Sequence, residues 1–378
     1  MEDARNMSIA SRLPWLLLLA AAGLLCIGAN AIARGDELFR LGEFAPKQRT
    51  WAVVSVVGFV AAAAWPYLKL RKLAFPIYGL SLLLLVAVFF TRPKNFSYRW
   101  IPLGIMDFQP SELAKIAFIL ALAAFLVRRH SLRRWYGLLI PFLMMAVPAA
   151  LILKEPDLGT SLLFAPTLLA MLFAAGARPR HLAFVVVLGT LCVPVLWTQM
   201  SAEQKSRVVA VFRQKTGGDA PDDDGYHLHQ AKRVLALGGV FGSSLSGMPV
   251  HNVRAYHLPE SRTDFVFCLV GERWGFVGCA AVMLLLATLI GRGLMVAGQT
   301  REPFGRLVVV GIVTLLGTQA AINTSMTVGL LPITGMTLPL VSYGGSSLLT
   351  TAMSLGLIVN VALRPSDEEE GDPFAFEG

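Results

Sequence analysis

Apolar runs of bilayer length recur along this chain, separated by short polar breaks rich in Arg and Lys. Ten stand out, at 14–33, 51–67, 73–91, 110–127, 135–153, 158–175, 181–199, 264–291, 305–329 and 338–363. A helix rises about 1.5 Å per residue, so roughly 20 apolar residues cross a hydrocarbon layer about 30 Å thick. Each run is therefore predicted as a membrane-spanning helix. The eighth is longer than a bilayer requires, which predicts tilt or a projection into water. Pro66, Pro76, Pro141, Pro148 and Pro194 fall in or beside spans, where neighbouring helices re-satisfy the backbone groups that proline frees. The fold class this predicts is an all-α polytopic membrane protein, with residues 1–363 forming a single transmembrane domain.

One long hydrophilic segment, about 200–263, lies between the seventh and eighth spans. It holds an acidic, Gly-rich patch (GGDAPDDDG, 217–225) that reads as a turn, with Asp222, Asp223 and Asp224 offering a loose divalent-ion site as the lesser alternative. The mixed apolar and basic stretch 226–242 predicts a helix lying on or near the membrane. Residues 364–378 form an acidic tail, read as disordered and cytoplasmic.

Composition agrees with the hydropathy pattern. The chain has 378 residues, 55% hydrophobic and 15% charged, where a soluble domain carries about 25% charge. A net charge of +9 would suit nucleic acid, but the basic residues sit in short clusters between apolar runs, which is the pattern of orientation signals. Lys69, Arg71 and Lys72, the Arg128–Arg134 cluster, Arg178 and Arg180, Arg292 to Arg306, and Arg364 fall on one side, predicted cytoplasmic with both termini. The long segment then lies outside. Arg5 and Arg12 before the first span, and the small residues Ala29 and Ala31 that follow its apolar run, resemble a signal peptide, but a retained span is the better reading in a chain that already needs insertion. Cys26, Cys192, Cys268 and Cys279 lie in apolar stretches without metal-ligand spacing. No Walker loop or dinucleotide motif occurs, which argues against transport driven by this chain's own nucleotide hydrolysis.

Four polar clusters abut the predicted outer face. RWIPLG (99–104) leads into QPSELAK (109–115), where Glu112 and Lys115 share a helix face and form either an ion pair or a cavity for an anion. EPDLGT (155–160) puts Asp157 at a helix start, as an N-cap or as a site residue. LPLVSYGGSS (338–347), with Ser346, offers small residues for close packing or exposed amides for an anion. HLPESRTDFVF (257–267) gathers Glu260, Arg262 and Asp264 before the eighth span. Asp264 there is either a helix cap or a general base, since a carboxylate beside a bilayer is costly to keep.

Together with GYHLHQAK (225–232), these motifs, in their order and spacing, resemble the SEDS family of bacterial membrane glycosyltransferases, which includes RodA and FtsW. The likeness runs from about residue 14 to 363. It implies ten helices with a large extracytoplasmic loop between helices seven and eight, set in the bacterial cytoplasmic membrane. The implied activity is polymerisation of lipid II into peptidoglycan, beside a class B penicillin-binding transpeptidase and other membrane proteins of an elongation or division complex. The family's essential aspartate falls on Asp264. GYHLHQAK and PITG (332–335) lean slightly towards RodA, whereas HLPES after Tyr256 is closer to FtsW. Three positions depart from the family pattern: Arg262 replaces a usual histidine, Arg273 a usual acidic residue and Pro102 a common polar one.

On this resemblance Asp264 takes the proton of an acceptor hydroxyl, which attacks the donor's anomeric carbon with inversion. Lys115, Arg99, Arg207 and Arg262 are the cations available to an anionic leaving group, while Glu112, Asp157, Glu260 and Ser346 line the substrate site. No closed metal-ligand set is legible, and a divalent ion (Mg2+ or Mn2+) is left open. The rival readings are a flippase for the same lipid and a non-catalytic scaffold for the transpeptidase.

Overall fold

The computed structural model describes residues 13–39, 43–91, 98–102, 107–128, 135–191, 193–212, 214, 224–246, 258 and 260–364. Helices follow all ten predicted spans. The first three are α1 (Trp15–Phe39), α2 (Phe44–Ala64) and α3 (Tyr67–Ala87). A short antiparallel pair, β1 (Ile101–Pro102) and β2 (Asp107–Phe108), precedes α4 (Pro110–Val127). Then come α5 (Trp135–Lys154) and α6 (Leu158–Ala174), while α7 (Pro179–Leu191) and α8 (Val193–Gln199) share the seventh span. The long segment carries α9 (Ala202–Phe212), α10 (Asp224–Leu237) and the short α11 (Ser243–Ser246). Last are α12 (Val266–Gln299), α13 (Pro303–Thr327) and α14 (Gly345–Leu363).

Several boundaries move for local reasons. The third span begins at Tyr67 rather than 73, directly after Pro66, which serves as its N-cap. The last begins at Gly345 rather than 338, because Pro339, Leu340 in the left-handed region (φ 65°) and Gly344 keep the preceding residues out of a helix. Tyr256, His257, the acidic tail and most of the acidic patch lie outside the described residues.

Seven of the described helices are long and apolar enough to cross a membrane. Their outward side chains include Leu83, Leu139 and Leu284, each more than half exposed; so broad an apolar surface suits hydrocarbon better than water. At the centre lies α4, buried along nearly its whole length and packed between α3 and α13. Around it α14 packs along α2, α12 along α1, and α13 along α6.

The long segment departs from expectation. Leu228, Ala231 and Val234 form one buried face of α10, and Ala231 and Val234 join Leu258, Phe265 and Cys268 in a small separate core. The helix therefore spends its apolar stripe on the start of α12 and not on the membrane surface. Burial of each large side chain contributes about 1.5–3 kcal/mol, enough to pin the residues on both sides of Asp264.

A second contact fixes the same region. Gly275 interrupts α12 in a non-helical conformation (φ 65°, ψ −156°), and the turn 238–242 fills the break. Phe276 N–H donates to Gly239 O at 2.9 Å and Val277 N–H to Val240 O at 3.2 Å, pairing amides that the interrupted helix leaves without partners. The approach is so close that a Cβ on Gly238 would stand 1.8 Å from Gly271 O. Gly238→Ala is expected to destabilise the fold by about 1–3 kcal/mol through overpacking. Gly79, with nothing within 4 Å of an added Cβ, should accept Ala with a small gain. Thermal melting of both variants in detergent checks this, and an unchanged midpoint for Gly238→Ala would refute the clasp.

Candidate active site

A cavity of about 1370 Å³ opens at the end of the bundle where α4, α6 and α14 begin and α13 ends. Small-molecule sites usually measure about 300–1,000 Å³, so this one suits a larger ligand. Its lining is two-faced. Arg99, Glu112, Lys115, Asp157, Arg207, Glu260 and Asp264 supply charge, whereas Trp51, Val54, Leu162, Pro166, Ile322 and Leu331 supply an apolar wall.

Asp264 sits in the turn ahead of α12 and does not cap it. The N-cap position belongs to Phe265, without a side-chain bond. The turn is held by the Thr263, Asp264 and Phe265 amides, which all donate to Glu260 O at 3.1–3.3 Å. The Asp264 side chain opens on the cavity while protein surrounds its other sides. Burial, reinforced by the Glu260 carboxylate, pushes its pKa up to about 7, against the pull of the Thr263 hydroxyl and of Arg99 and Arg207. Gly335 comes so near that an added Cβ would lie 3.5 Å from Asp264 Oδ2.

The other clusters meet the same cavity. Lys115 Nζ donates to Glu112 Oε1 at 2.8 Å, and Thr350 Oγ1 donates to Glu112 Oε2 at 2.7 Å. The buried ion pair and the cavity lining are thus the same residues. Asp157 caps α6, accepting from Thr160 N at 3.1 Å, and its Oδ2 faces Gln109 Nε2 at 3.4 Å. Arg99 Nε donates to Glu155 O at 3.0 Å, which anchors its guanidinium beside the α5–α6 turn.

Two expected site residues stand elsewhere. Ser346 is not among the lining residues: its hydroxyl donates to Asp107 O at 3.2 Å and accepts from Gln109 N at 3.3 Å, and Ser347 faces the cavity instead. Arg262 also lies behind the wall, because its guanidinium donates to Asp36 Oδ1 at 2.9 Å and stacks 4.2 Å from the Phe44 ring centroid. The glycine at 345 serves close packing, since a Cβ there would meet the Trp51 indole at 2.0 Å.

Sequence reading missed the residues that shape the cavity floor. Asn323 Nδ2 donates to Asp264 O at 2.8 Å and to Met336 O at 2.6 Å. Gln319 Nε2 donates to Thr337 O at 2.9 Å. Both are buried polar residues in a largely apolar span, a signal worth following on cost alone. Among the described residues no three His, Cys, Asp or Glu side chains converge as metal ligands.

An Asp titrates near 3.9 in an unfolded chain, so the raised value near 7 means that the native state holds its proton more tightly. The stability carried by that proton is complete below about pH 4 and is lost as pH rises through about 7. Asp264→Asn should therefore stabilise the fold at pH 8 by about 1–3 kcal/mol, after allowance for solvent in the cavity. The gain should shrink towards pH 5. Melting curves at the two pH values test this, and an equal effect at both would contradict it.

The model of the FtsW/RodA/SpoVE cell cycle protein family matches residues 11–366. The probable peptidoglycan glycosyltransferase FtsW of Geobacter metallireducens is 32% identical over 372 residues, covering 95% of this chain and 97% of the relative. Stage V sporulation protein E of Bacillus subtilis is 31% identical, covering 92% and 94%. Among solved structures, a chain described under structural coordination of polymerization and crosslinking by a peptidoglycan synthase complex superimposes with a TM-score of 0.80 at 29% identity, covering 94% of this chain and 98% of that one. Thermus thermophilus rod shape determining protein RodA gives 0.69 at 27% identity, with the same coverage. The likeness extends to FtsW, stage V sporulation protein E and RodA alike, so it does not decide the slight lean towards RodA. A match along nearly the whole length, on a multi-pass helical fold, places this chain in the FtsW/RodA/SpoVE family, the SEDS membrane proteins.

Proposed function

We propose that this chain is a peptidoglycan glycosyltransferase that joins lipid-linked disaccharide units, lipid II, into glycan strands. One observation carries the reading: a carboxyl group of raised pKa opens on a large cavity whose lining combines arginine and lysine side chains, carboxylates and apolar residues. A polyprenyl pyrophosphate sugar has the matching character, with a large polar head and a hydrocarbon tail.

Asp264 is the general base in this proposal. Its carboxylate accepts the proton of the acceptor sugar's hydroxyl, and that oxygen forms a bond to the donor's anomeric carbon. The bond from the anomeric carbon to the pyrophosphate oxygen breaks, the electron pair leaves with the polyprenyl pyrophosphate, and the configuration inverts. Arg99 and Arg207, both close enough to bias Asp264, stabilise the departing charge. Lys115, held by Glu112, adds a third cation to the lining, while Asp157 and Gln109 shape the rim. No third carboxylate joins Glu260 and Asp264 as a ligand set among the described residues, so no step is routed through a divalent ion.

The proposal sets the protein in the bacterial cytoplasmic membrane as one transmembrane domain, with both termini cytoplasmic and the cavity facing outward. Its partner is a class B penicillin-binding transpeptidase, the kind of protein that cross-links the strands made here.

A general base works ionised. The polymerisation rate is therefore expected to rise with pH through about 7 and level off above it. Asp264→Asn should lower the rate by about 10²–10⁴-fold with intact folding. Purified protein, supplied with its transpeptidase partner and labelled lipid II, gives the readout as glycan length on a gel. A variant that polymerises as well as the wild type would sink the general-base assignment, and lipid movement across vesicles without polymer would point to a flippase.

A further inference from the structure

Arg262, displaced from the cavity, does something definite. Its Nη1 donates to Asp36 Oδ1 at 2.9 Å, and both side chains are largely buried. The other oxygen of Asp36 accepts from Phe44 N at 3.0 Å and Ala45 N at 2.8 Å. Asp36 thereby caps α2 from the end of α1, a service that α2's own N-cap residue Glu43 does not perform. The Arg262 guanidinium also covers the Phe44 ring, and the Phe44 ring meets Tyr343 edge to face at 4.9 Å. Finally, Arg262 O accepts from Tyr343 N at 2.9 Å.

One knot thus ties the end of α1, the start of α2, the turn bearing Asp264 and the loop before α14. Phe44, Asp264 and Tyr343 all line the cavity, whereas Asp36 and Arg262 do not. Room for the knot is built in, since a Cβ on Gly35 would come within 2.9 Å of Arg262 Cγ. A buried pair with both partners engaged this way holds geometry, and the geometry it holds is the separation between the base and two cavity walls.

We propose that Asp36 and Arg262 are positioning residues for glycan polymerisation, fixing Asp264 against α2 and the Tyr343 loop. The inference rests on the glycosyltransferase reading. Asp36→Asn suits a test because an amide oxygen can still accept from Phe44 N and Ala45 N, while its NH₂ cannot accept from the guanidinium. Arg262→Gln removes the charge from the other side.

With labelled lipid II and the transpeptidase partner, each single variant is expected to lower kcat about tenfold, leaving KM within about twofold. The double variant should lose no more than either single, because the two act as one unit. Arg262→Lys, which keeps charge without the planar stack, should recover part of the loss. Effects that multiply in the double variant, or a KM rise at unchanged kcat, would overturn the proposal. So would a lower melting midpoint with unchanged kcat. Hydrogen exchange at the Thr263, Asp264 and Phe265 amides supplies a readout independent of activity. Faster exchange there in Asp36→Asn, with Phe304 and Gly305 at the far end of the bundle unchanged, is expected. Unchanged exchange in the turn overturns the positioning role even if the wild type polymerises. A wild type that forms no polymer overturns the function itself, whatever the exchange shows.

Discussion

A polar segment folded into an apolar bundle has to find a partner for each backbone group, and here much of that duty falls on one side chain. Asn323, fully buried in α13, donates from its amide nitrogen to the carbonyls of Asp264 and Met336. One carbonyl belongs to the turn ahead of α12, the other to the loop that returns between α13 and α14. Left unpaired in such surroundings, either carbonyl would cost on the order of 1–3 kcal/mol. Satisfying both with one donor sets the distance between Asp264 and the cavity floor. Gln319, one helical turn away, repeats the device on Thr337.

Around that floor the structure accepts unfavourable placements and contains them. Asp264 is held where ionisation is costly, beside another carboxylate and among packed residues. The small core of α10 with Phe265 and Cys268 and the Asp36–Arg262 pair brace the same short turn, while the clasp of turn 238–242 holds α12 further along, at residues 271–277. Such concentration of restraint keeps one buried carboxyl in place although its ionisation is opposed there.

The sequence carried some of this openly. Spans are written in hydropathy, which is why all ten were legible, with ends displaced by up to eight residues. The Glu112–Lys115 pair follows from helical spacing, and the Asp157 cap from an Asp placed just before an apolar run. What stayed hidden depends on contacts between distant residues. Asp36 and Arg262 are 226 positions apart, so nothing local announces that Arg262 turns away from the cavity. The helix α10 has a stripe that would suit lipid or protein equally, and only the fold reveals which one it meets. The late start of α14 was obscured because residues 338–344 are apolar enough to look like a span, although Pro339 and Gly344 were visible warnings.

The packing of α14 against α2 has a consequence for how the protein is made. Gly345 admits the Trp51 indole, Gly356 of α14 lies against Phe59 of α2, and Asn360 Nδ2 donates to Ala62 O at 2.6 Å. During synthesis α2 therefore waits for α14, made nearly 300 residues later, before its inner face is covered. A nascent chain has most of its membrane helices in place while one side of the cavity is still open to lipid. The cavity wall that carries Trp51 is therefore complete only once α14 has joined α2, so an uncovered α2 would mark an unfinished bundle without any test of activity.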